Sequence, residues 1–223
     1  MATPNHRQEN QRVYILHTYP FKETSLIAEV FTEKFGRIPV VAKGARRPRS
    51  SIRGMLQSFQ VLLANWSGKS ELKSLNGLEW CEKLTILEGD ALMCGFYLNE
   101  LMMRLLPRDE PHPDLFHFYH ETILALSEGR ELTITLRRFE LKLLQALGYA
   151  VTLDHDEDSN PIIPDKIYRY EAEYGACDLM KTDHGIKVLG KTLLDMASDQ
   201  YISKETQQQS KQLMRYLLGF YLG

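Results

Sequence analysis

The sequence predicts an α+β protein, in which an N-terminal five-stranded OB-fold β-barrel is followed by an α-helical C-terminal domain. Three observations predict it: five strand-like runs before residue 80, helical periodicity after residue 84, and a change in the sign of the charge. Residues 1–83 carry 13 Lys and Arg against 7 acids, and residues 84–223 carry 14 against 22. A chain of 223 residues has room for two cores. We therefore expect two domains, 1–83 and 84–223.

The barrel prediction depends on short segments in which apolar residues alternate with polar ones. Such segments start at Val13, Leu26 and Ile38, and two more span residues 59–65 and 71–75. Gly36 stands between the second and third runs, where a glycine can take the positive φ of a hairpin turn. Five strands are the number of the OB-fold, whereas a β-sandwich needs about seven.

Helical patterns fill most of the second half. Residues 91–106 are apolar on almost every side, which predicts a helix buried within a bundle and ended by Pro107. Further helices are predicted over 113–127, 133–147, 189–197 and 204–222, with Gly148 closing the third and Ser203 capping the last. Residues 154–188 form an irregular insertion, a polar loop followed by a hairpin.

Composition narrows the class of protein. No apolar run is long enough for a signal peptide or a transmembrane helix, so we expect no membrane association. The three cysteines, Cys81, Cys94 and Cys177, are widely spaced, as is typical of a reducing compartment. We therefore expect a cytoplasmic protein without disulfides.

The most informative feature for function is an acid-free stretch from Lys34 to Ser70. It contains eight cations in a chain whose net charge is -2. Such a concentration of one sign indicates an anionic partner, and nucleic acid is the first candidate. Seven of the cations are predicted to contact DNA: Lys34, Arg37, Lys43, Arg46, Arg47, Arg49 and Arg53. In this interpretation, residues 43–53 form a mobile connection, because they contain small residues, Pro48 and two serines. The alternative is a solvated charged loop.

Aromatic residues flank the basic stretch and could stack on bases. They are Tyr14, Tyr19, Phe21, Phe31, Phe35, Phe59 and Trp66. A small barrel must also fill its interior, so we expect about two thirds of them in the core.

Catalytic and metal-binding signatures are incomplete. Gly68-Lys69-Ser70 resembles the end of a P-loop, but Leu63 occupies the position of its first glycine. Asp154, Asp156 and Asp158 have EF-hand spacing, but Ser159 replaces the essential glycine. We therefore predict no enzyme activity, no metal and no cofactor. A metal-dependent nuclease that uses these three aspartates is the least favoured of three candidate functions.

Two adjacent arginines, Arg137 and Arg138, lie on the third predicted helix of the C-terminal half. They could form a solvated surface paired locally with Glu140. Alternatively, they could border an apolar groove that binds a short acidic and hydrophobic peptide.

The ordered set of segments resembles the RecO family of bacterial recombination mediators. The matching segments are ETSL at 23–26, VFTE at 30–33, VAKGAR at 41–46, YLNEL at 97–101, LRRFEL at 136–141 and LGY at 147–149. The resemblance runs over nearly the whole chain and implies the same OB-fold and helical domain.

The resemblance also implies a function in DNA repair and homologous recombination. Members of the RecO family bind single- and double-stranded DNA, anneal complementary strands, and cooperate with RecR in loading RecA onto DNA coated by single-strand-binding protein. It implies that the loop from Lys43 to Arg53 contacts DNA and that Arg137 and Arg138 hold the acidic C-terminal tail of the single-strand-binding protein. Some relatives carry a four-cysteine zinc module after the LGY segment, but Cys177 is the only cysteine there. An OB-type RNA-binding or regulatory module is the alternative function.

Overall fold

A computed structural model describes residues 7–149, 151–181 and 184–223. Two compact units are resolved, of which the first ends at Arg130 and the second begins at Glu131. The first unit contains the barrel and two helices, so packing groups those helices with the barrel. The predicted domain boundary between residues 83 and 84 marks the end of the barrel along the chain, and it stays a prediction.

Five strands form the barrel: β1 (Arg7–Phe21), β2 (Ser25–Thr32), β3 (Gly36–Ala42), β4 (Leu62–Ser67) and β5 (Lys73–Trp80). The barrel closes in the order β1-β2-β3-β5-β4. The β3–β5 pair is parallel and the other pairs are antiparallel. The predicted five-stranded OB-fold barrel is confirmed.

The barrel core is built from small and branched side chains. Val13, Ile15, Val30, Ile38 and Leu62 are at most 1% exposed within it. In β2, β3 and β4, alternate residues point inward, as the period of two in the sequence predicts.

The β2–β3 turn shows why Gly36 is needed. Its φ is +68°, and a Cβ at this position would lie 2.0 Å from the carbonyl oxygen of Glu110. The Thr32 hydroxyl donates to the Gly36 carbonyl at 3.0 Å and accepts from the Phe35 amide at 2.8 Å. The predicted hairpin glycine is confirmed, and it also allows the 106–110 segment to approach the barrel.

Two helices, α1 (Gly89–Leu105) and α2 (Pro113–Ser127), cover part of the outer barrel face. Tyr14 and Phe31 point outward from β1 and β2 and pack against Phe116 and Tyr119. The Asn99 amide donates to the Leu16 carbonyl at 2.9 Å. The prediction that α1 is buried within a bundle was wrong, because Met93 and Phe96 on its other face are 67% and 50% exposed.

The second unit combines helices with a small sheet. It contains α3 (Leu132–Ala146), β6 (Ile167–Glu171), β7 (Gly175–Asp178), β8 (Ile186–Leu189), α4 (Gly190–Ala197) and α5 (Lys204–Leu222). The predicted hairpin is β6–β7, and β8 adds a third antiparallel strand on the other side of β6. The Ser203 side chain accepts from the Thr206 amide at 3.0 Å, which confirms the predicted cap. None of the helices in the described ranges is long and apolar enough to cross a membrane.

Candidate nucleic-acid interface

The basic connection, residues 43–61 between β3 and β4, is a succession of turns. Its apolar side chains hold it against the barrel: Ala45 and Leu56 belong to the barrel core, and Ile52 and Met55 pack against that core. Short-range backbone hydrogen bonds close the turns, including Arg47 N to Gly44 O at 3.0 Å. The structure therefore shows an anchored segment where the sequence predicted a mobile one.

Anchoring the apolar residues leaves the cations of the basic connection outside. All five predicted here, Lys43, Arg46, Arg47, Arg49 and Arg53, are exposed. Within the described ranges, none of these five forms an ion pair with a carboxylate. Their charges therefore remain available to phosphate groups.

A cleft of about 520 Å³ separates the basic connection from β5. Lys43, Arg47 and Arg49 line one wall, and Leu75 and Gly77 contribute to the other. A cleft with cations on one wall and small or apolar groups on the other suits a polyanionic backbone.

The tip of the β1–β2 hairpin continues this basic surface. The Arg46 amide donates to the Thr24 carbonyl at 2.8 Å, and its guanidinium donates to the Glu23 carbonyl at 3.4 Å. The Lys22 ammonium lies 5.4 Å from the centre of the Phe21 ring. The hairpin thus brings one further cation and an aromatic ring to the same edge of the barrel.

Arg37 has a structural role that its sequence context did not reveal. Its guanidinium donates to Glu29 Oε2 and to the Leu106 carbonyl, both at 2.9 Å. The side chains of Arg37 and Glu29 are 12% and 2% exposed, and Arg108 also pairs with Glu29. These contacts join β2 and β3 to the segment after α1. Its charge already neutralises a buried carboxylate, and its contact with DNA stays a prediction.

Lys34 is exposed, but it lies far from the basic connection. It belongs to the β2–β3 turn, whereas Lys43 follows the opposite end of β3. The seven residues of β3 span about 23 Å at 3.3 Å per residue. The structure therefore brings together the cations from Lys43 to Arg53 and separates Lys34 from them.

Most of the candidate stacking residues are interior. Tyr14, Phe31, Phe59 and Trp66 are at most 5% exposed. Phe35 packs edge-on against Trp66, with 5.4 Å between the ring centres. Of the seven candidates, Tyr19 is 42% exposed and Phe21 is half-buried. The exposed rings are therefore on β1, next to the hairpin tip.

The structure separates the two arginines of α3. The Arg137 side chain is 9% exposed and pairs at 2.5 Å with Glu140, whose side chain is fully buried. The Arg138 side chain is 44% exposed and pairs with Asp199 at 2.6 Å. Arg137 therefore neutralises an interior carboxylate, and its contact with a partner stays a prediction. Arg138 alone of the two presents its charge at the surface.

Tyr201 lies in the electrostatic environment of this pair of arginines. Its burial raises its pKa to about 12, and the negative charge of Asp199 acts in the same direction. The charges of Arg138 and Arg137 lower the pKa of this phenol by smaller amounts. The hydroxyl is therefore neutral at physiological pH.

The acidic loop at 154–160 forms a local turn. Asp156 accepts from the Asp158 and Asn160 amides at 3.0 and 2.8 Å. Lys181 pairs with Glu157 and Asp158 at 2.9 and 2.6 Å. Across the described ranges, no three His, Cys, Asp or Glu residues are grouped so that they could hold a metal ion. The absence of a metal stays a prediction.

Comparison with known proteins covers almost the whole chain. The family model "Recombination protein O N terminal" matches residues 6–84, and "Recombination protein O C terminal" matches residues 87–223. A protein of Nitrosospira multiformis named DNA repair protein RecO is 51% identical over 226 residues, which cover 100% of this chain and 93% of the relative.

Two further relatives carry the same name. The protein of Dechloromonas aromatica is 47% identical over 96% of this chain and 90% of its own length. That of Burkholderia pseudomallei is 46% identical over 99% of this chain and 81% of its own length. With both family models matched in order along one chain, this protein belongs to the RecO family of DNA repair proteins.

Proposed function

We propose that this protein is a non-enzymatic mediator that binds single- and double-stranded DNA through the basic connection and anneals complementary strands. The observation that carries the proposal is the set of five exposed cations from Lys43 to Arg53, none of which is paired with a carboxylate in the described ranges. Membership of the RecO family supports DNA as the polyanion.

Annealing follows from the electrostatics of the cleft. Two DNA strands repel each other through their phosphates, and cations that bind the backbone reduce this repulsion while releasing counterions. A surface that contacts phosphates leaves the bases free to pair. The reaction forms base pairs and breaks no covalent bond, so it requires neither ATP nor a metal.

The proposal includes partners that the family resemblance implies. The acidic C-terminal tail of the single-strand-binding protein would bring the mediator to coated DNA and raise its local concentration there. Arg138 is the candidate contact, since its guanidinium is at the surface. Cooperation with RecR in loading RecA, at the nucleoid in the cytoplasm, completes the proposed role.

The proposal predicts annealing without ATP. Complementary oligonucleotides, each coated with single-strand-binding protein, are mixed with the full chain across a series of KCl concentrations, and duplex formation is followed by fluorescence quenching. We expect the protein to accelerate annealing at low salt and to lose this effect as salt rises, because phosphate contacts are replaced by counterions.

The comparison is the variant in which Arg46, Arg47 and Arg49 are all alanine, which should anneal more slowly than the wild type at low salt, with the difference disappearing as salt rises. Acceleration that is indifferent to KCl would contradict the proposed mechanism. A requirement for ATP or Mg²⁺ would indicate an enzyme instead.

A further inference from the structure

A β-bulge in β1 changes which side chains face outward. Ile15 pairs with Val30 and His17 pairs with Glu29, so Leu16 is an extra residue in the ladder. Before the bulge, Val13 and Ile15 lie in the barrel core. An extra residue reverses the alternation of the strand beyond it.

The ladder beyond the bulge shows the reversed alternation. Thr18 pairs with Ala28, which belongs to the core, and Pro20 pairs with Leu26, which packs against the core. The β1 residues that alternate with Thr18 and Pro20 therefore lie on the outer face of β1. They are His17, Tyr19 and Phe21, here called the ring stripe.

The ring stripe extends past the helices that cover the rest of this face. Tyr14, on the covered part, is 1% exposed, whereas Tyr19 is 42% exposed. The rings of His17 and Tyr19 are 4.5 Å apart between centres, edge to face. A cavity of about 310 Å³, lined by both rings and by Phe96 of α1, opens beside them. These rings are held by the sheet and have an unoccupied side.

The ring stripe ends at the positive edge of the barrel. Lys22 lies over Phe21, and Arg46 is hydrogen-bonded to the backbone of Glu23 and Thr24. Two carboxylates on this side are neutralised: Glu29 pairs with two arginines, and Glu100 pairs with Arg104 at 2.8 Å. Glu23 at the tip is exposed, and Lys22 and Arg46 lie beside it. Aromatic rings followed by unpaired cations are the two components of a single-strand binding surface.

We propose that the ring stripe stacks the bases of single-stranded DNA while the basic connection holds its phosphates. Alternate residues of a strand are about 6.7 Å apart, so an extended strand can meet successive rings. In a duplex, each base face is already covered by its neighbour in the stack. The ring stripe therefore favours single strands, whereas the basic connection binds both forms. This inference rests on the proposed function, because it states which form of DNA, single-stranded or duplex, the same edge of the barrel prefers.

The test compares three labelled ligands of equal length by fluorescence anisotropy at fixed low salt: oligothymidylate, an abasic single strand and a duplex. The variant replaces Tyr19 and Phe21 with leucine, and Tyr19→Phe is the conservative version. We expect the wild type to bind oligothymidylate more tightly than the abasic strand. The double variant should lose about fivefold or more of its oligothymidylate affinity and stay within about twofold for the other two ligands. Tyr19→Phe should retain wild-type affinity.

The matched control is Tyr174→Leu, which removes a ring that is 65% exposed on the second unit and should change nothing. Thermal unfolding measured by circular dichroism verifies that each variant is folded. Equal binding of the wild type to oligothymidylate and the abasic strand would overturn the inference. So would a loss in the double variant that is as large for the duplex as for the single strand. Failure of the wild type to bind any of the three ligands would instead overturn the proposed function.

Discussion

Arg37 and Arg137 each neutralise a buried glutamate. Arg37 and Arg108 pair with Glu29, and Arg137 pairs with Glu140. A buried carboxylate is costly unless it is paired and hydrogen-bonded, and removing its partner leaves an uncompensated charge. Their sequence context, a run of cations or an arginine pair, resembles that of a binding site. Burial distinguishes Arg37 and Arg137 from the exposed Arg46 and Arg138.

This distinction leads to opposite predictions for neighbouring residues of α3. Arg137→Glu would place a second carboxylate beside the buried Glu140, so it should destabilise the fold by about 3–5 kcal/mol. Arg138→Glu changes an exposed side chain and should leave the melting temperature nearly unchanged. It should weaken binding of a peptide with the sequence of the single-strand-binding protein tail by about fivefold, roughly 1 kcal/mol. Circular dichroism and peptide anisotropy measure the two effects.

The matched control for Arg138 is Arg215→Glu, the same charge reversal at an exposed position of α5. It should retain peptide affinity. Unchanged peptide binding by Arg138→Glu would remove this arginine from the proposed partner site. An unchanged melting temperature for Arg137→Glu would contradict the structural role of the Arg137–Glu140 pair.

At the scale of elements, the basic connection is anchored to the barrel and also presents cations to the cleft. Its apolar residues anchor it to the barrel, and its cations face the cleft. Because the segment is already organised in turns, less conformational entropy is lost when DNA binds than for an unanchored loop.

Replacing Arg46, Arg47 and Arg49 with alanine should weaken binding of all DNA sequences alike. The slope of log affinity against log salt should fall by up to about 3 units, near 0.7–0.9 for each lost phosphate contact. The three side chains are exposed, so the fold should persist. Anisotropy titrations between about 50 and 200 mM KCl, over which phosphate contacts change the affinity by orders of magnitude, measure the slope.

An equal removal of charge elsewhere provides the comparison. Lys204, Lys211 and Arg215 are exposed on α5, and their alanine variant should change the slope by less than about 1 unit. A slope that stays constant in the variant of the basic connection would show that the phosphates bind elsewhere.

At the scale of the whole molecule, buried tyrosines in both units determine how stability depends on pH. Burial raises the pKa of Tyr14 and Tyr119 in the first unit and of Tyr170 and Tyr201 in the second. The native state therefore keeps these phenols protonated, whereas the unfolded chain releases the protons near pH 10. Their contribution is complete below about pH 10 and is lost as the pH rises through the native pKa, about 12 for Tyr201.

We therefore expect these tyrosines to leave the free energy of unfolding in urea unchanged between about pH 8 and 9.5 and to lower it above about pH 10. Tyr201→Phe removes one ionisable phenol and should reduce the steepness of that fall. Tyrosinate absorbance should rise together with the loss of circular dichroism. A free energy that stays constant to about pH 11.5 would contradict this account.

Features with a local cause were predictable. The five strands follow from alternation, the Gly36 turn from its permitted φ, and the Ser203 cap from the hydroxyl at a helix start. Features that depend on a distant partner were not. The exposed face of α1, the third strand of the small sheet and the buried role of Arg37 arise from contacts between segments far apart in the chain.

By itself, the sequence determined the fold class, the family and the position of the basic connection, because these depend on periodicity, ordered motifs and local charge. Only the tertiary structure decided which cations remain free and which rings reach the surface. The physical reason is that a charge is neutralised by whichever carboxylate the fold places beside it, as Glu29 is placed beside Arg37. One extra residue in a strand ladder likewise reverses the direction of every side chain beyond it, as Leu16 does for Tyr19.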